Sequence, residues 1–254
     1  FKNKPPSRAA LIAETSKIEI TAAPGERHEY VNHNFILAGQ VIEAVSGQSY
    51  EDFMIERVLR PLGMERASFS LEGQDSAALA HQLMVLDGPR PVSTFPRMDL
   101  IAATGGLVVS PQDMAQYILY QIGDGAPLLN PELFAQTHAP AIQIEGEASY
   151  ALGWNVEPVD GVPMLQHNGL IDGYYSDLAV FPQLRSGYVL MVNEHGLGQG
   201  AVGVLAPYLT NALFGVDANP SIAEEKAKEY HLQAYWEARQ RAANYSGGED
   251  FSVL

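Results

Sequence analysis

The hydrophobic pattern of this 254-residue chain changes period once, and that change limits its fold more than any other feature. Up to about residue 149 the apolar residues fall at helical spacing. From Tyr150 onward they gather into short runs rich in β-formers, divided by Gly, Pro or Asp. A chain written this way is an α/β (α+β) protein, with a mostly helical region followed by an antiparallel sheet and its flanking helices.

The helical half is punctuated clearly. Pro5-Pro6-Ser7 reads as the entry to a helix over Arg8–Thr15. After a Pro24-Gly25 turn, the stretch Asn34–Val45 carries Phe35, Ile36, Ala38, Val41, Ile42 and Val45 at helical spacing and stops at Gly47. Tyr50–Leu59 repeats the pattern until Pro61 and Gly63 end it. Residues 73–98 read as loop, with Pro89, Pro91 and Pro96 close together. Ser110 as N-cap and Pro111 at the first helical position then open a helix to about Ile122.

In the second half the pattern predicts strands over Ala151–Val156, Met164–His167, Tyr175–Phe181 and Tyr188–Asn193. Their short links favour an antiparallel meander. Gly200–Phe214 reads as a helix packed on that sheet. Ser221 with Glu224 forms a capping box for a charged helix to about Asn244, before Ser246-Gly247-Gly248. Three regions follow: 1–149, mostly helical; 150–217, antiparallel strands and packing helix; and 218–254, a linker helix and tail.

Composition narrows the function. With 46% hydrophobic and 18% charged residues, the chain is neither disordered nor fibrous. Fifteen basic against 30 acidic residues give a formal net charge of −15, and no basic stripe offsets it, so no nucleic-acid partner is expected. No apolar run approaches the roughly 18 residues of a membrane span. The absence of cysteine removes disulfides, thiolate nucleophiles and cysteine-ligated metals. Lysine occurs only at positions 2, 4, 17, 226 and 228, so a site between residues 18 and 225 that needs a cation must use Arg or His.

Three familiar patterns fail on geometry. His28-Glu29-Tyr30-Val31-Asn32-His33 resembles a zinc-protease helix, but the second His stands at i+5, roughly 140° around a helix from the first. Gly198-Gln199-Gly200-Ala201-Val202-Gly203, with Asp217 downstream, has the glycines of a dinucleotide site. The residues before Asp217 continue a helix, however, so the required second parallel strand is missing. No Gly-x-Ser-x-Gly elbow exists. His81, His138 and His195 stand without a motif and read as surface or structural residues.

A longer constellation is more specific. Pro24-Gly-Glu-Arg-His-Glu-Tyr30-Val-Asn32 runs into the helix at Asn34, then into Ser49-Tyr-Glu-Asp-Phe-Met and Arg60-Pro-Leu-Gly-Met-Glu. Ala103-Thr-Gly-Gly-Leu with Ser110-Pro-Gln-Asp-Met-Ala follows, and then His167-Asn168-Gly169 with Asp172-Gly173-Tyr174. In order and spacing these resemble the β-lactamase-like serine hydrolases: class C β-lactamases, D-Ala-D-Ala carboxypeptidases, D-amino-acid peptidases and related esterases. The resemblance covers roughly residues 20–215.

The resemblance implies a β-lactamase/transpeptidase-like fold and hydrolysis of an ester or amide through a serine acyl-enzyme, with no metal or cofactor. It makes Tyr30 of Tyr-x-Asn the acid/base and Asn32 a substrate or lysine partner. It makes His167 the third-box cation or hydrogen-bond donor, with Asn168 and Gly169 lining the pocket. A free phenol, with its pKa near 10, is a poor base at neutral pH, and neighbouring positive charge would improve it. His167 stands where penicillin-recognising members carry lysine, which favours esterase or peptidase activity over β-lactamase activity.

The family's Ser-x-x-Lys is not found. No serine here is followed by lysine three positions on. The expectation is that an N-terminal portion bearing serine, lysine and the first strands lies outside this chain, which alone would then be inactive. An exposed sheet edge would pair with that fragment or with a second copy. A small molecule or peptide is the expected substrate, and the resemblance points to a periplasmic or secreted location. The competing reading is a non-catalytic ligand-binding protein that keeps the pocket without the nucleophile.

Overall fold

The computed structural model of the chain describes residues 7–70, 83–84, 90–91, 98–171, 173–194 and 197–216. The Pro5-Pro6 entry, His81, most of the proline-rich loop, Asp172, His195, Asp217 and the helix expected from Ser221 lie outside the described residues. The chain forms two compact units. The first comprises Phe1–Gln74, Pro96–His167 and Ala179–Gly187, and the second Asp75–Phe95, Asn168–Leu178 and Tyr188–Leu254.

In the first unit, α1 (Arg8–Thr15) starts where Ser7 accepts the backbone N–H of Ala10. Helix α2 (Asn32–Ser46) ends at Gly47 in the left-handed conformation, as the sequence predicts. Helix α3 (Tyr50–Met54) continues into a π-type turn, Ile55–Leu59, ahead of Pro61. Arg8 ties these elements together. Its guanidinium bonds Glu43 of α2, Glu51 of α3 and the carbonyl of Asp99. Helix α4 (Pro111–Gln121) opens on a complete capping box, in which Ser110 and Asp113 each accept the other's backbone N–H. The Asp113 carboxylate also accepts the N–H of Arg66 at 3.2 Å, which accounts for its burial. Leu59, Leu62, Met64, Phe69 and Ala102 form the core among these elements.

A six-stranded sheet follows in chain order: β3 (Ile142–Glu145), β4 (Ala148–Tyr150), β5 (Asn155–Val159), β6 (Val162–Ile171), β7 (Tyr174–Phe181) and β8 (Ser186–Val192). The strands earlier in the chain, β1 (Leu83–Met84) and β2 (Arg90–Pro91), form a separate antiparallel pair in the second unit. The sequential strand order is the meander expected from the short links. Ala179, Val180 and Phe181 of β7 are fully buried, so this strand forms the sheet's dry centre.

Two features depart from the sequence reading. The segment Ala151–Val156 is not one strand, because residues 151–154 form a tight turn between β4 and β5. Gly153 has φ +90°, which an L side chain rarely adopts, and Ala151 donates its N–H to the Trp154 carbonyl at 2.8 Å. Apolar composition hid that turn. The strands also begin earlier than Tyr150, with β3 and β4, and helix α5 (Pro131–His138) precedes them. Asn130 caps α5 by accepting the N–H of Leu133 at 2.8 Å.

In the second unit, α6 (Leu197–Leu213) runs close to β8. A Cβ at Gly198 would lie 2.9 Å from Val192 Cγ2, and Glu194 accepts the Gly198 N–H at 2.5 Å. Tyr188 of β8 and Thr210 of α6 are linked through their hydroxyls at 3.2 Å. No described helix is long and apolar enough to cross a membrane.

Candidate functional site

The loop before α2 divides its side chains between two groups of contacts. Arg27 and Glu29 point one way, where Arg27 donates to Glu29 at 2.7 Å and Thr21 donates to Glu29 at 2.6 Å. Arg27 also reaches the Thr21 carbonyl at 3.2 Å. His28 and Tyr30 instead meet side chains of the sheet. Thr21 and then Arg27 hold the Glu29 carboxyl below its ordinary pKa.

On that second side four rings meet. The Tyr30 ring lies 5.9 Å from the ring of His167 on β6. The hydroxyl of Tyr150, at the end of β4, is 3.2 Å from His167 Nε2. The His28 ring packs at 4.7 Å on the Tyr150 ring. Burial raises the Tyr150 pKa, and the proximity of Tyr30 raises it further, so Tyr150 keeps its proton. Tyr30 itself is 54% exposed, whereas His28, Tyr150 and His167 are half-buried. An accessible phenol beside a partly shielded imidazole is an arrangement that can pass a proton to or from a ligand.

The sheet register explains how Tyr150 reaches this group. Tyr150 pairs with Asn155, and Asn155 pairs with Gln166, the residue before His167. Between β5 and β6 the connection is the two-residue hairpin Asp160-Gly161, with φ +48° and +79° and Val159 opposite Val162.

Of the residues singled out in the sequence, Tyr30 and His167 are brought together. Asn32 is the first residue of α2 and is exposed. Asn168 and Gly169 continue β6 within the second unit, where a Cβ on Gly169 would come 2.8 Å from Ser176 Oγ. Tyr150 was missed. Its partner lies two strands along a meander, and the Asp160-Gly161 hairpin between them was the available signal. His28 and His33 fall on a loop and in the first turn of α2, and no described group of His, Asp and Glu is arranged to hold a metal ion.

A second cluster of the same residue types is structural. Tyr117, Tyr120, Phe134, His138 and Trp154 stack in series, with centroid separations from 4.5 to 6.5 Å. His138 Nε2 is 2.7 Å from Gln121 Oε1, and burial lowers its pKa. Burial pushes the Tyr117 phenol up to about 12.

Comparison with known proteins places these features in a family context. The family model described as Beta-lactamase matches residues 1–206. Unguisins hydrolase ungD' of Aspergillus campestris is 26% identical over an alignment of 209 residues that covers 76% of this chain and 38% of that protein. The octameric penicillin-binding protein homologue from Pyrococcus abyssi superposes with a TM-score of 0.75 at 27% identity, covering 87% of this chain and 51% of that one. A D-stereospecific amidohydrolase from Streptomyces shares the fold, with a TM-score of 0.64 at 23% identity. The chain thus spans about half the length, or less, of the first two proteins.

Proposed function

Because the chain belongs to the Beta-lactamase family, a family of hydrolases, we propose that it forms part of a serine hydrolase that cleaves an ester or amide, D-amino-acid peptides included. The reaction runs through an acyl-enzyme whose serine and lysine lie outside residues 1–254, since no Ser-x-x-Lys occurs within them. Tyr30 takes the proton of the attacking serine and returns it to the leaving group. His167 supplies the adjacent donor or positive charge that makes a phenol serviceable in that role. Asn32 orients substrate or the lysine, and Asn168 with Gly169 forms the strand segment beside the acyl group. Backbone donors in such a position are often worth about 3–4 kcal/mol to a developing oxyanion.

One observation carries this reading. Tyr30 and His167, far apart in sequence and each drawn from a separate family motif, lie with their rings 5.9 Å apart and Tyr30 open to solvent. In the same reading the segment bearing the serine, or a second copy of the chain, pairs along an end strand of the sheet. Among the described residues β3 and β8 each have one neighbour.

The test is a fluorophosphonate serine probe on the purified protein, read by denatured intact mass. Label on a species longer than these 254 residues or on a companion fragment, lost in Tyr30→Phe, is the expected result. An unlabelled protein that still binds acylated D-amino acids would replace the proposal with the ligand-binding reading.

A further inference from the structure

The loop that carries Tyr30 brings a second imidazole to the same group of rings. His28 packs on Tyr150 with 4.7 Å between ring centroids, and the Tyr150 hydroxyl is 3.2 Å from His167 Nε2. The Tyr30 ring stands 5.9 Å from that of His167. The charged neighbours of His28 on the loop are already paired. Arg27 bonds Glu29, and Thr21 donates to the same carboxylate. Among the described residues neither nitrogen of His28 has a hydrogen-bond or ion-pair partner, and the contact with Tyr150 is what holds the ring. No fully buried side-chain nitrogen or oxygen there lacks a partner, so the nitrogens of this half-buried imidazole reach solvent. His28 is thus fixed in place with its polar capacity unspent.

We propose that His28 is a specificity-determining residue whose imidazole N–H receives a carboxylate carried by the substrate, beside the Tyr30 that serves the bond to be cleaved. An imidazole offers at least one N–H in either protonation state, and a positive charge besides when protonated. A chain of net charge −15 repels anions in general, so an anion is held only where donors are presented locally. Arg27 cannot serve, being paired with Glu29, and no lysine occurs between residues 18 and 225. The class selected is acylated amino acids and peptides with a free acid group, over their neutral amides and esters. The proposal rests on the reading of Tyr30 as the acid/base, but recognition of the carboxylate is measured by binding and fails separately from hydrolysis.

The full chain is titrated in a calorimeter with N-acetyl-D-alanine and, separately, with its primary amide, which matches it in size and lacks the charge. The wild type is expected to bind the acid about tenfold tighter than the amide. His28→Phe keeps a ring on Tyr150 and removes both nitrogens. It should bring the two affinities together and leave that for the amide unchanged. In protein labelled with 15N in histidine, the acid should move the His28 imidazole signals, assigned by their loss in His28→Gln, and the amide should not. Equal affinities in the wild type, no binding of either compound, or unmoved His28 signals overturn the proposal whether or not His28→Phe folds. A His28→Phe variant with native circular dichroism and the wild-type preference overturns it as well. Selective binding of the acid by a protein that no serine probe labels would count against hydrolysis alone.

Discussion

Two clusters in the first unit are built from the same two chemistries, phenols and imidazoles, and they do opposite things. Around Trp154, which is buried together with Phe134, the half-buried Tyr117 phenol is driven up to about 12, and burial disfavours the His138 imidazole as a cation. Around His167 the rings are half-buried, and Tyr30 remains open. The difference lies in what holds the rings. Hydrophobic packing fixes the first cluster and leaves its polar atoms committed to partners such as Gln121. The second is fixed by strand register and by a hydrogen-bonded loop, which leaves one phenol available.

The comparison can be broken most directly at Tyr30. In the serine-bearing protein, Tyr30→Phe is expected to lower kcat/KM for an ester substrate by about 10²–10⁴-fold while moving stability by less than about 0.5 kcal/mol. A matching loss in urea denaturation would mean that Tyr30 belongs with the packed residues after all.

Phe134→Ala tests the other cluster. Phe134 is buried against Tyr120 and His138, and its truncation should cost about 3–5 kcal/mol of stability. Activity per folded molecule, measured well below the melting midpoint, should stay near wild type.

His138 sharpens the contrast through pH. Its folded-state pKa lies below the unfolded value, so the unfolded chain takes up the proton first as pH falls. The contribution of His138 is intact above the ordinary imidazole pKa and is lost as pH drops through the folded one. Urea midpoints followed downward from neutral pH should fall, and His138→Gln should flatten that part of the curve.

The smallest effect is expected at Glu29. Its bonds to Arg27 and Thr21 are exposed to solvent, so Glu29→Ala should leave the urea midpoint close to that of the wild type. The ring current that Tyr30 exerts on His167 should nevertheless weaken in the proton spectrum, because Glu29 and Tyr30 are neighbours on the same loop. An unchanged spectrum would show that α2 alone positions Tyr30.

Much of this architecture was legible from local chemistry. Gly47 stops α2, and Ser110-Pro111 opens α4, because caps are decided by a few adjacent residues. Tyr30 and His167 were legible because each sits in a short motif. Local chemistry failed where apolar residues serve a turn. Ala151-Leu152-Gly153-Trp154 has the composition of a strand, but Ala151 and Trp154 are buried from a bend around Gly153. It failed again at Tyr150, whose role exists only once two strand pairings are in place. The Arg8 contacts with Glu43, Glu51 and the Asp99 carbonyl are likewise invisible in sequence, since they join four separate segments.

The Asp160-Gly161 hairpin acts as a gauge. It sets Val159 against Val162, and by counting back along the strands it sets the level at which Tyr150 meets His167. A single residue added there would offset the pairing by one step and turn alternate side chains to the opposite face. Such a change would disarm the four-ring group as thoroughly as replacing His167, without altering any residue in it. Length at this turn therefore matters to the group as much as chemistry does, and a one-glycine insertion that left the His167 imidazole spectrum untouched would show the gauge to be elsewhere.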